Sequence, residues 1–152
     1  SKLFAKKGSE PARGRLLVGR SGGVSRQVRR WEEIRNKLIP LGFSEFDPGQ
    51  ASLQEQADAF RGAEIVVGAH GAALTNLVFC RPGTRVLEMF GANYVNPCYR
   101  NLCAAAGLEH YAVVDVVEAG QPAQRELIDA TQEIRGEPGL VAELAVKILR
   151  AE

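Results

Sequence analysis

The run Glu64-Ile65-Val66-Val67-Gly68-Ala69-His70-Gly71-Ala72-Ala73-Leu74-Thr75-Asn76 reads as a buried strand, a tight turn and the start of a helix. Glu64 to Gly68 is short, rich in β-branched residues and apolar on both faces, as a central strand of a parallel sheet should be. The residues after it are small, and small residues let a backbone approach a ligand closely. A helix beginning there aims free amides and the positive end of its dipole at the turn. A diphosphate is a natural guest of such a turn. Gly68, Gly71, Ala72, Ala73, Thr75 and Asn76 are therefore candidate phosphate-binding residues. His70 stands at the mouth as the candidate catalytic residue, able to donate to a phosphate or sugar oxygen. The plainer alternative is that the glycines only make the turn and His70 is a satisfied polar residue. The stretch is neither a Gly-x-Gly-x-x-Gly fingerprint nor a Walker loop, which counts against redox dinucleotides and phosphoryl-transfer NTPases.

The flanking sequence repeats the same alternation. Upstream, Arg15 to Gly19 is a short apolar strand. Gln27 to Leu41 carries Val28, Trp31, Ile34, Leu38 and Leu41 at helical spacing, and Gly42 is a stop signal. Phe43 to Phe46 is a second strand, closed by Asp47-Pro48-Gly49. Ser52 with Glu55 three residues later is a capping box for a helix bearing Leu53, Gln56, Ala57 and Phe60. Downstream, the helix of the opening stretch is expected to run to about Phe79, and Arg85 to Phe90 is the fourth strand. Pro97 opens another helix that stops at Gly107, Tyr111 to Val117 is a fifth strand, and Leu140 to Arg150 is a last amphipathic helix. Leu127 to Ile134 is expected to hold a helical turn within an otherwise unassigned polar region. Strand and helix in alternation give an α/β fold: a three-layer, Rossmann-like parallel sheet with helices on both faces. Residues 1–13 form a polar lead-in, expected to be flexible, and 14–152 a single domain. Ligands of such sheets bind beyond the carboxyl ends of the strands, which points to the loops after Gly19, Gly68 and Phe90.

Composition agrees. The chain has 152 residues, 45% hydrophobic and 24% charged, with a formal net charge of +1. That balance argues against a nucleic-acid binder. The three cysteines lack metal-ligand spacing, and no apolar run is long enough to span a bilayer. The chain does not begin with Met and is expected to be part of a longer protein. Its basic residues are mostly Arg, fourteen against five Lys. Arg20 and Ser21 follow the first strand, and Arg26, Arg29 and Arg30 lie at the start of the next helix. Positive charge at a helix N-terminus is unfavourable unless an anion shares it, so these are candidate phosphate-binding residues. Arg35 reads as part of a solvated face. Glu88 interrupts an apolar strand, and a carboxylate there must be satisfied. It either accepts from ribose hydroxyls or pairs with an arginine such as Arg85 or Arg20. Tyr94, Asn96 and Tyr99 either contact base or sugar or simply pack.

Together these segments resemble glycosyltransferase family sixty-one. The resemblance is carried by Leu41-Gly42-Phe43, Ser52-Leu53-x-Glu55-Gln56, the run from Phe60 through Asn76, and Phe79-x-x-Pro82-Gly83-Thr84-x-Val86-Leu87-Glu88, with Arg20 and Arg29-Arg30 upstream. It extends from about Arg15 to about Val114. The family includes bacterial capsular polysaccharide biosynthesis enzymes, protein O-linked N-acetylglucosaminyl transferases and plant xylosyl transferases. It implies a GT-B architecture of two Rossmann-like halves, of which this chain resembles the second, the nucleotide-sugar-binding half. The resemblance further implies that His70, the helix after it, Arg20 and Glu88 line the donor site with no metal or other cofactor. The partners it implies are a nucleotide-diphosphate sugar, a glycan or polysaccharide acceptor, and an N-terminal Rossmann half. The implied location is cytoplasmic, at the inner face of a bacterial membrane. One departure stands out: Glu32 or Glu33 occupies the region where the family usually has Asn. The competing expectation is a non-catalytic nucleotide-binding or assembly module that keeps the fold without transferase activity.

Overall fold

A computed structural model describes residues 14–19, 27–92, 94–116 and 133–151. Five strands, β1 (Gly14–Val18), β2 (Phe43–Phe46), β3 (Ala63–Ala69), β4 (Arg85–Phe90) and β5 (Glu109–Val114), form one sheet in the order β2-β1-β3-β4-β5. Every pairing is parallel. The chain steps from β1 outward to β2, then crosses to the other side of β1 to lay down β3. The topological switch point therefore lies between β1 and β3, where open sheets of this kind leave a crevice at their carboxyl ends.

Side-chain alternation divides the core in two. On one face Leu17, Ile65, Val67, Leu87 and Met89 pack against α1 (Trp31–Leu38) and α4 (Pro138–Arg150) through Ile34, Leu38, Val141, Ala145 and Ile148. On the other, Leu16, Val18, Val66 and Val86 pack against α2 (Leu53–Arg61), a 3-10 helix (Ala72–Phe79) and α3 (Cys98–Ala106) through Phe60, Leu74, Leu77 and Cys103. The expected Rossmann-like arrangement is present, with helices on both faces.

Several local expectations need correction. The helix expected over Gln27 to Leu41 is α1 only from Trp31 to Leu38, continued by a 3-10 turn at Ile39–Leu41. Val28 instead forms an isolated parallel bridge with Ile134, and Arg29 N–H donates to the Ile134 carbonyl at 2.8 Å. Pro40 lacks the N–H that α-helical continuation needs, and Gly42 closes the turn at φ 86°, a left-handed conformation that favours glycine. The fifth strand begins at Glu109, two residues before the expected Tyr111, and ends at Val114. The helix after β3 is 3-10 rather than α. The lead-in 1–13, residues 20–26 with Arg20, Ser21 and Arg26, and most of the turn expected near Leu127 lie outside the described residues.

Candidate functional site

The 3-10 helix decides how the site is built. With three residues per turn, side chains three apart stack in columns. Leu74 and Leu77 form the buried column against the sheet, Ala73 and Asn76 a half-buried one, and Ala72, Thr75 and Val78 an exposed one. Gly68 lets the helix lie this close. A Cβ there would meet Leu74 Cδ2 at 3.2 Å and Val18 Cβ at 3.3 Å. Gly68 thus serves the packing of helix on sheet. Gly71, the residue before the helix, is extended at φ 165° and buried. The ladder opens with Leu74 N–H on the Gly71 carbonyl at 3.0 Å, so the Ala72 and Ala73 amides precede it.

One column faces a shallow pocket of about 290 Å³ at the switch point. Ala72, Ala73 and Asn76 line one wall, Gly19 at the end of β1 the floor, and Asp47 to Gly49 with Gln56 the far side. Asn76 Nδ2 donates to Gln56 Oε1 at 2.9 Å and to the Ala73 carbonyl at 3.2 Å. Gln56 Nε2 in turn donates to the carbonyls of Pro48 and Ala51, each at 2.9 Å. The wall is therefore held from both sides. Gln56 is a pocket residue that helical periodicity alone did not distinguish from its neighbours.

The second assembly lies on the same sheet face, one strand further along. His70 is buried, 4% exposed, and not open at a mouth as expected. Its ring stacks on Phe90 with centroids 5.0 Å apart and meets Tyr94 and Tyr99 at 5.4 and 5.3 Å. Its Nδ1 lies 2.6 Å from Glu88 Oε1. The other carboxylate oxygen, Oε2, lies 2.7 Å from Nε2 of His110. Glu88 is fully buried, and its partners are these two rings, not an arginine. Arg85 donates to the Ala151 carbonyl at 2.7 Å and sits 3.6 Å from Glu109. Asn96 accepts from Cys98 N–H and donates to the Tyr94 hydroxyl, fixing the loop before α3. Thr75 reaches the Tyr99 hydroxyl at 3.3 Å, so the 3-10 helix touches both the pocket and the histidine assembly.

A fifth strand beginning at Tyr111 leaves His110 off the sheet, whereas β5 begins at Glu109 and includes it. Strand alternation supplies the missing signal. Val86 pairs with His110 and Glu88 with Ala112, so His110 and Glu88 project from one face of adjacent strands.

Arg29 and Arg30 belong to a third place, a cleft of about 530 Å³ beyond the end of β5 lined also by Asp115, Arg135 and Glu137. Arg30 bridges Glu33 and Glu137 at 2.6 and 2.7 Å, and Arg29 pairs with Glu133 at 3.0 Å. The charges read as shared with an anion are met by the protein's own carboxylates. Arg35 pairs with Glu45, in keeping with its reading as a surface residue. Among the described residues no group of three or more His, Cys, Asp or Glu is disposed to hold a metal ion, and no helix is long and apolar enough to cross a membrane.

Comparison with known proteins bears on this arrangement. A β-1,2-xylosyltransferase of Oryza sativa subsp. japonica is 39% identical over 62 residues, 41% of this chain and 12% of that protein. A β-1,2-xylosyltransferase of Arabidopsis thaliana is 32% identical over 62 residues, with the same coverage of 41% and 12%. The matched stretch thus spans a small part of these relatives' length. Among solved structures, a D-isomer specific 2-hydroxyacid dehydrogenase family protein of Aeromonas salmonicida aligns at a TM-score of 0.38 and 17% identity, over 91% of this chain and 52% of that one. The family model described as Glycosyltransferase 61 matches residues 2–87, ending within β4 one residue before Glu88. With that match covering more than half of its residues, the chain belongs to glycosyltransferase family 61.

Proposed function

We propose that this chain binds the nucleotide-sugar donor of a glycosyltransferase acting in polysaccharide or glycan biosynthesis. The observation that carries the reading is the pocket at the β1/β3 switch point, walled by Ala72, Ala73 and Asn76. In this reading the leading amides of the 3-10 helix meet the diphosphate. Arg20, two residues past β1 in sequence, adds positive charge, and His70 adds a hydrogen bond. With Nδ1 held by Glu88, His70 meets a phosphate oxygen through Nε2, as a donor when the ring is doubly protonated. Preorganised donors of this kind stabilise a departing diphosphate without a metal or other cofactor. In this reading Tyr94, against the His70 ring, and Asn96, bonded to the Tyr94 hydroxyl, meet the sugar or base.

By the resemblance, the chain is the C-terminal half of a GT-B enzyme of the capsular polysaccharide type, and a second Rossmann-like half brings the acceptor. The plant relatives transfer xylose, so a UDP-pentose belongs among the donors tried. Their plant origin lends no support to a location at a bacterial membrane. Calorimetric titration with UDP and UDP-sugars tests the reading. Saturable heat supports it, and no heat for any nucleoside diphosphate contradicts it.

A second reading, a non-catalytic nucleotide-binding or assembly module, is favoured by the internal neutralisation of Arg29 and Arg30. Nucleotide binding without sugar transfer by the full-length protein would select it.

A further inference from the structure

We infer that His110 is a positioning residue for His70, acting through Glu88. The inference rests on the reading of His70 as the ligand-facing residue of the donor site. Glu88 is fully buried, and each of its oxygens faces a different ring, His70 Nδ1 at 2.6 Å and His110 Nε2 at 2.7 Å. A carboxylate only accepts hydrogen bonds, so both ring atoms that face it carry protons. This fixes Nδ1 of His70 as the inward atom and leaves Nε2 as the one that meets a ligand. Among the described residues Nε2 has no hydrogen-bond partner.

One contact to Glu88 is not enough to fix that orientation. The terminal torsion of a glutamate is broad and roughly two-fold, so a carboxylate held by one oxygen swings. His110 holds the second oxygen. With both anchored, the carboxylate plane is set, and the edge of His70 that bonds to it is set too. The Phe90 stack fixes the plane of the His70 ring but not which edge points inward. The strand register makes the arrangement possible, since His110 lies on β5 diagonally across from Glu88 on the same face. β5 is an edge strand, and the His110 side chain is 12% exposed, against 4% for His70. His110 is therefore the member of the trio that can be replaced with least disturbance to the core.

The test is a long-range nitrogen–proton correlation spectrum of the imidazoles of the ligand-free chain, paired with UDP titration. In the unaltered chain His70 is expected to carry a proton on Nδ1. In His110→Leu the Nδ1 proton signature of His70 becomes mixed, and UDP affinity falls about tenfold. His110→Gln, whose amide still donates to Glu88, keeps both the signature and the affinity. Should His110→Leu not fold, His110→Asn, whose shorter amide falls short of Glu88, is expected to behave as the leucine variant does. An unprotonated Nδ1 in the unaltered chain overturns the inference. So does a leucine or asparagine variant that matches the unaltered chain in both readouts. Because the spectrum needs no nucleotide, a His70 signature that responds to His110 while UDP fails to bind upholds the positioning role and removes the donor-site reading instead.

Discussion

Glu88 is the residue on which the histidine assembly depends. A carboxylate taken out of water in mid-strand is costly unless its oxygens are met, and here each is met by one imidazole. Replacing it with glutamine turns one acceptor into a donor that faces a donating ring. Glu88→Gln is therefore expected to lose about 1–3 kcal/mol in chemical denaturation, the penalty for a buried unsatisfied group. An unchanged midpoint would mean the trio contributes nothing to stability. The cysteines give a second prediction at this scale. Burial, then the neighbouring Cys103, pushes the Cys80 thiol up to about 12, and burial, then Glu88, pushes Cys103 up to about 11. Native chain at pH 8 should alkylate quickly at the exposed Cys98 alone and at all three thiols once unfolded. In the native chain Cys80 and Cys103 keep their protons beyond the ordinary value of 9.0, so their contribution to stability is full below that pH and is lost as pH rises toward 11 and 12. Rapid native labelling at Cys80 or Cys103 would contradict this. Glu88 was legible as an anomaly from sequence, because a carboxylate among Val, Leu, Met and Phe demands a partner. The partner itself was not, since starting β5 at Tyr111 removed His110 from the strand and from the register that brings it to Glu88.

Individual elements show why some of the sequence was easier to read than the rest. Local signals were reliable. Ser52 accepts from Glu55 N–H while Glu55 reaches back to Ser52 N–H, the capping box expected from their spacing. Ser52→Ala is expected to destabilise the chain by about 1 kcal/mol, read as a lowered denaturation midpoint, and Ser52→Asp to restore most of it. No change for alanine would mean α2 draws nothing from its cap. The 3-10 character of the helix after β3 was not written locally. Leu74 and Leu77, three apart and buried, fit the α-helical 3.6 as well as a period of three. The period of three turns Ala73 and Asn76 toward the pocket and Thr75 toward Tyr99. Non-local pairing was out of reach. The bridge between Val28 and Ile134 joins residues far apart in sequence, so a helical pattern at Val28 yielded to a strand-like pairing. The same pairing carries Arg29 and Arg30 to Glu133 and Glu137.

Across the described residues, five parallel strands with helices on both faces carry three assemblies, two at the carboxyl edge of the sheet and one running from His70 at that edge down the sheet face to His110 near the start of β5. These are the switch-point pocket, the His70–Glu88–His110 trio and the arginine cleft beyond β5. The 3-10 helix joins the first two. The third is balanced by its own carboxylates. The alternation of strands and helices in the sequence was enough to place the carboxyl edge, because each element carries its own period. It was not enough to separate the three assemblies, because that depends on strand order and register. Amide nitrogen–proton spectra of the isotope-labelled chain titrated with UDP test the central claim most directly. The account predicts saturable shifts centred on Gly19, Ala72, Ala73 and Asn76, with His70 responding alongside them. Shifts centred instead on Arg29, Arg30 and Asp115, or no shifts at saturating UDP, would contradict it.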